Sequence, residues 1–104
     1  SRIERNGTYV DADMLRKQSQ SLAKRMMTER ATEAERIRHG FRICVTRLPT
    51  HDEKAALTKL LNQAKQFYIA NATEAKVYNG NTEASAWSAV ARIMLNMDEF
   101  LTRE

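Results

Sequence analysis

The chain has 104 residues, of which 42% are hydrophobic and 29% charged, and a formal charge of +4 from 17 Lys and Arg against 13 Asp and Glu. That length suits one domain with one core. No run of about 18 uninterrupted apolar residues is present, so no helix is expected to span a membrane. The charge excess permits contact with acidic partners without demanding it.

The opening "SRIERNGTYV" lacks the apolar h-region of a signal peptide and an initiating Met. Residues 1–104 therefore read as a single helical domain cut from a larger protein. Three Gly and one Pro favour long helices with few turns. Asn6-Gly7 supplies a turn, and Thr8 with Asp11 forms a capping pair for a first helix from about Tyr9 to Glu29. Its inward face would be Ala12, Leu15, Ser19, Leu22, Ala23 and Met26. The second helix, about Glu33 to Arg47, opens on a Thr32–Glu35 capping box. Ala34, Ile37, Phe41, Cys44, Val45 and Leu48 form its stripe. Gly40 in mid-helix costs roughly 1 kcal/mol against Ala, and the usual compensation is close approach of a neighbouring helix.

Pro49 stops that helix. Thr50 and Glu53 form a second capping box, and the third helix runs to about Ala70 with Leu57, Leu60, Leu61, Ala64, Phe67 and Tyr68 as the cleanest stripe in the chain. Periodicity fades from Asn71 to Asn81, and Asn79-Gly80 marks a turn. Thr82 caps a last helix carrying Ala86, Trp87, Val90, Ile93, Met94, Met97 and Leu101. The expected fold is all-α, a compact four-helix bundle-like domain.

Cys44 is the only cysteine, so an internal disulfide and a cysteine metal cage are both excluded. Its place in an apolar stripe argues for a buried, inert thiol. Asp98 and Glu99 invite a general acid/base reading. A carboxylate held by an arginine stays charged, however, the opposite of what a general acid needs. His39 and His51 have no second His or Cys at ligand spacing. The "HDE" of residues 51–53 opens a helix, where acidic groups complement the dipole. No nucleophile elbow, Gly-rich phosphate loop or haem-attachment motif occurs, so no catalytic residue, metal ligand or cofactor is assigned. The arginines of "ERIRHGFR" could grip phosphate. Glu29, Glu33 and Glu35 interrupt that field, and no aromatic platform interleaves with it, which argues against nucleic acid. Of the five methionines, some should fill the core and one or two should line a surface covered by the rest of a parent chain.

Two stretches together resemble a known family. "FRICVTRLPTHDE", Phe41 to Glu53, is similar to its F-R-x-x-L-x-R-x-P-T-x-x-E pattern. "AWSAVARIMLNMDEF", Ala86 to Phe100, is similar to its A-W-x-x-L-x-x-x-L-L-N-x-x-E-F pattern. The opening "NGTYVDADMLRKQSQSLAKRM" resembles the preceding segment, with Gly7-Thr8 where Asp-Pro is usual. The family is the planctomycete domain of unknown function found in large secreted proteins that often carry a cytochrome-c-like domain, and the likeness is to its C-terminal end. The motif residues here are Phe41, Arg42, Arg47, Pro49, Thr50, Glu53, Trp87, Asn96, Glu99 and Phe100. The resemblance implies an extracytoplasmic setting but no reaction.

These residues suggest a structural polar cluster of Arg47, Glu53, Asn96 and Glu99, where the start of the third helix meets the end of the last. Arg47 would pair with Glu99 and also with Glu53. Asn96 would cap the last helix, and Phe41, Pro49, Trp87 and Phe100 would form the motif core. A buried pair of this kind is costly to break on one side. The expected function is a non-catalytic structural or interaction module of a larger secreted protein, with other domains of the parent or a protein as partner. One alternative is part of an extracytoplasmic enzyme or redox assembly completed by upstream domains. Another is a weak nucleic-acid-binding bundle.

Overall fold

The computed structural model describes the backbone of residues 2–5 and 8–102 and the side chains of residues 12–97. Five helices carry the fold: α1 (Ala12–Glu29), α2 (Glu33–Val45), α3 (His51–Ala70), α4 (Ala72–Asn79) and α5 (Thr82–Thr102). Ahead of them stand two short strands, β1 (Arg2–Arg5) and β2 (Thr8–Asp11), paired antiparallel with Arg5 opposite Thr8 and Arg2 opposite Asp11. Thr8 is thus a strand residue, and α1 starts at Ala12 instead of near Tyr9. The position next to the helix belongs to Asp11. The expected Asn6-Gly7 turn lies outside the described residues.

The all-α, bundle-like architecture follows from where the apolar stripes meet. Leu22, Ala23 and Met26 of α1, Ile37, Phe41 and Cys44 of α2, and Leu57 and Leu61 of α3 share one core with Ala86, Trp87, Val90, Ala91 and Met94 of α5. Helix α5 touches each of the other four helices. Gly40 is a point of close packing between helices. A Cβ there would stand 2.6 Å from the Met26 sulfur and 2.9 Å from the Met94 sulfur, both on fully buried side chains. The propensity lost by a mid-helix glycine is thus the condition for α1 and α5 to pack on α2.

Local chemistry sets the helix ends. Thr50 and Glu53 form a full capping box at α3, each satisfying a backbone N–H of the other. At α2 only half of the expected box forms. The Thr32 hydroxyl accepts from Glu35 N, while the Glu35 carboxylate takes the Thr32 hydroxyl proton at 3.0 Å. Helix α2 ends at Val45, with Thr46 in the left-handed region at φ 63°. Helix α5 is capped by Asn81, not Thr82: Asn81 Oδ1 accepts from Ala84 N at 2.8 Å. The stretch where periodicity fades is the short helix α4, of which Ala75 alone is buried. It is bound to α5 by Ser85 Oγ donating to the Ala75 carbonyl at 2.7 Å and Asn79 Nδ2 donating to Ser88 Oγ at 2.9 Å.

The third stripe is two-sided. Leu57 and Leu61 are buried, with Ala64 and Tyr68 packed beside them, whereas Leu60 and Phe67 are exposed. Leu57, Leu61, Ala64 and Tyr68 follow the i, i+4, i+7, i+11 face, while Leu60 and Phe67 stand seven apart on its flank. Ala34 and Leu48 of the second stripe are also exposed.

Candidate functional site: the corner at Pro49

The motif residues of the first stretch gather where the chain leaves α2 and enters α3. Phe41 is fully buried in α2, and the Arg47 guanidinium lies over its ring, 5.1 Å from the centroid. Arg47 then makes a two-pronged bond to Glu53, Nη1 to Oε1 and Nη2 to Oε2, each 2.9 Å. Nη1 also donates to the Leu48 carbonyl at 3.1 Å. Glu53 Oε1 accepts in addition from the Thr50 backbone N–H at 2.8 Å. One carboxylate therefore closes the capping box and holds the arginine, and half-buried Pro49 fixes the turn between them.

The electrostatics follow from those bonds. The Arg47 fork, aided by the Thr50 N–H, holds the Glu53 carboxyl down to about 2 from the ordinary 4.5. The same pairing pushes the Arg47 guanidinium further up. Such a carboxyl is ionised throughout the neutral range and is a weak proton acceptor. Arg47 keeps 45% of its side chain exposed and Glu53 26%. The pair is a surface clamp rather than a buried one, so the large cost of breaking a buried ion pair does not carry over.

The second stretch divides. Trp87 is buried at the centre of the core, with its Nε1 unpartnered among the described residues. Asn96 does not cap α5, because the helix continues to Thr102 and Asn96 is an exposed interior residue. Met97, the next residue, packs against the core. The side chains of Asp98, Glu99 and Phe100 lie outside the described residues, and the Arg47–Glu99 pairing lies there with them.

The remaining candidates resolve individually. His39 is held by Glu29, Nε2 to Oε1 at 2.7 Å, and His39 with Arg25 lowers the Glu29 carboxyl below its usual range. His51 and Asp52 are exposed in the first turn of α3. Among the described residues no group of three or more His, Cys, Asp or Glu is placed to hold a metal ion. Cys44 is buried at the edge of an open groove of about 410 Å³ lined by Gln18, Ser21, Leu22, Arg25, Ile43 and Leu95. Met26 and Met94 are core, Met27 and Met97 pack at its margin, and Met14 is exposed.

Sequence reasoning missed Arg36. Its Nε donates to the Arg30 carbonyl at 3.0 Å and its Nη2 to the Met27 carbonyl at 3.1 Å, capping the end of α1. Nη1 reaches Glu83 of α5 at 3.4 Å, and the guanidinium lies 5.6 Å from the Trp87 ring centroid. The available signal was its place one residue before Ile37, on the rim of the α2 stripe, where an arginine can cover apolar surface.

A second surface stands out at the α3–α4 corner. Tyr68 stacks on Tyr78 with ring centroids 6.0 Å apart, and Phe67 meets Tyr68 edge-on at 5.0 Å. Phe67, Ile69 and Val77 are 48%, 70% and 75% exposed. Tyr68, Val77 and Tyr78 line an open groove of about 430 Å³ with Arg16, Thr73 and Glu74. No protein-family model, curated protein or solved structure matches the chain. Among the described residues no helix is long and apolar enough to cross a membrane.

Proposed function

We propose that this chain is a non-catalytic helical module of a larger secreted protein, of the planctomycete kind that its two motifs resemble, and that it packs on a neighbouring domain of its parent. The observation that carries the reading is the corner at Pro49. Its motif residues engage one another: Arg47 is taken up by Glu53, the Leu48 carbonyl and the Phe41 ring, and Glu53 by Arg47 and Thr50. A carboxyl held at about 2 suits a fixed ion pair and not a proton shuttle near neutrality. The extracytoplasmic setting belongs to the same reading and rests on the resemblance.

The packing role draws its support from the α3–α4 corner. Exposed Val77 beside the Tyr68–Tyr78 stack, with exposed Phe67 and Ile69 on either side of Tyr68 in α3, supplies apolar and aromatic side chains of the kind that interdomain contacts bury. The test is Ile69→Glu with Val77→Glu, made in the full parent protein and in this chain alone. Both side chains are exposed, so the isolated chain should keep its melting temperature. In the parent, limited proteolysis should release the module faster than from the wild type. Unchanged proteolysis of the doubly substituted parent would remove the packing role.

A further inference from the structure

Three further arginines, Arg30, Arg38 and Arg42, border a concavity next to the Pro49 corner. Arg30, Glu35, Arg38, His39, Arg42 and Leu48 line a cleft of about 110 Å³. Arg38 and Arg42 are one turn apart on α2 and share a face. Arg30 reaches the same cleft from the link between α1 and α2. In the sequence, Glu29, Glu33 and Glu35 interrupt this basic run. In the fold each of these carboxylates has a partner, and only Glu33 is drawn away from the cleft. Glu29 is occupied by Arg25 at 3.2 Å and His39 at 2.7 Å, and Glu33 by Lys65 of α3 at 3.0 Å. Glu35 lines the cleft, with its Oε1 accepting the Thr32 hydroxyl.

Arg30, Arg38 and Arg42 make no ion pair with the described residues. Arg30 donates only to the Glu29 carbonyl, at 2.7 Å. Three arginines without an ion-pair partner among the described residues therefore line one concave surface with Glu35, while Glu29 reaches its edge through His39, and the excess of positive charge is focused there. A guanidinium offers donors only, in a planar fork that matches the oxygens of a tetrahedral anion. The cleft, about 110 Å³ and open to solvent, has room for one small anion. We infer that this cleft is an oxyanion site that takes one phosphate or sulfate group by hydrogen bonding and charge, with no covalent step. The group arrives either as a free ion or as a monoester carried on a larger molecule. The inference is independent of the packing role, which uses the α3–α4 corner.

The test is titration of the chain with inorganic phosphate, inorganic sulfate and methyl phosphate, followed by NMR at the arginine Nε–Hε groups. Saturable shifts confined to Arg30, Arg38 and Arg42 are expected. The dissociation constant should rise at least tenfold in the Arg38→Gln/Arg42→Gln variant. Both side chains are exposed and bond to no other described residue, so the variant should melt as the wild type does, and its lost affinity reads the site itself. Tighter binding of methyl phosphate than of inorganic phosphate assigns the source to a carried ester, and the reverse to a free ion. Shifts that stay linear with concentration, shifts spread equally over Arg16, Arg25 and Arg47, or unchanged affinity in the variant overturn the site.

Discussion

Glu53 serves two structures with one carboxylate, and acid should separate them. Its folded pKa is depressed to about 2 from 4.5. A depressed carboxyl contributes stability above its unfolded pKa and loses it as pH falls through the folded value. The contribution should therefore be whole above about pH 5 and vanish on acidification toward about pH 2. Thermal melts of the wild type and of Glu53→Gln across that range should differ most at neutral pH and converge in acid. A gap that persists unchanged at pH 2 would mean that packing, and not the charge, distinguishes the two. Glu29 moves in the same direction through His39 and Arg25 and contributes to the acid sensitivity of the wild type and the variant alike. At this scale the sequence was informative where interactions are local. The Thr50–Glu53 box spans three residues, and the Arg47–Glu53 clamp spans six, so spacing alone brought each pair within reach. The failures at Asn96 and Thr82 share another origin. A polar residue inside or beside a helix resembles a cap until it is known where packing lets the helix stop.

Between elements, Arg36 is the principal polar tie. It joins the Met27 carbonyl of α1 and the Arg30 carbonyl just past it to α2 and, through Glu83 and the Trp87 ring, to α5. Replacing it with Met should keep the apolar stem but free two carbonyls, costing about 2 kcal/mol by analogy with hydrogen bonds to charged groups. Arg36→Lys should recover little of this, since an ammonium cannot span the same planar set of acceptors. Denaturant unfolding of the two variants checks both statements, and a lysine variant as stable as the wild type would contradict the second. The face of α1 was legible almost residue by residue: Leu15, Ser19, Leu22, Ala23 and Met26 are its buried set. Ser19 fits that face because its hydroxyl donates to the Leu15 carbonyl one turn back. Helix α3 was legible as a helix but not in its depth, because an apolar pattern shows which side is greasy and not how much neighbour is available to cover it. Helix α4 left little trace. Its burial amounts to one alanine, and its attachment runs through Ser85, Ser88 and Asn79, residues that read equally well as turn formers.

For the whole molecule, low Gly and Pro content and three strong stripes were enough to specify an all-α bundle. The β1–β2 pairing was not anticipated, since four-residue strands are too short for alternation to show. Function was legible only as far as the motif residues. Their resemblance suggests a setting, their geometry supports a structural role, and the basic cleft emerged only once Glu29 and Glu33 were seen bonded to other partners.

The central position of α5 has a consequence for how the protein is made. Every other helix rests on it, yet it is the last of the five in chain order. During synthesis, α1 to α4 leave the ribosome before the helix that covers their apolar faces exists. Residues 1–81 lack Trp87, Val90, Ala91 and Met94 of the common core. A fragment ending at Asn81 should therefore show no cooperative melting and should bind hydrophobic dyes, and sharp two-state unfolding of that fragment would refute the prediction. The nascent domain thus exposes its core surface until α5 has emerged, and a chain interrupted before α5 is open and aggregation-prone in place of a smaller domain.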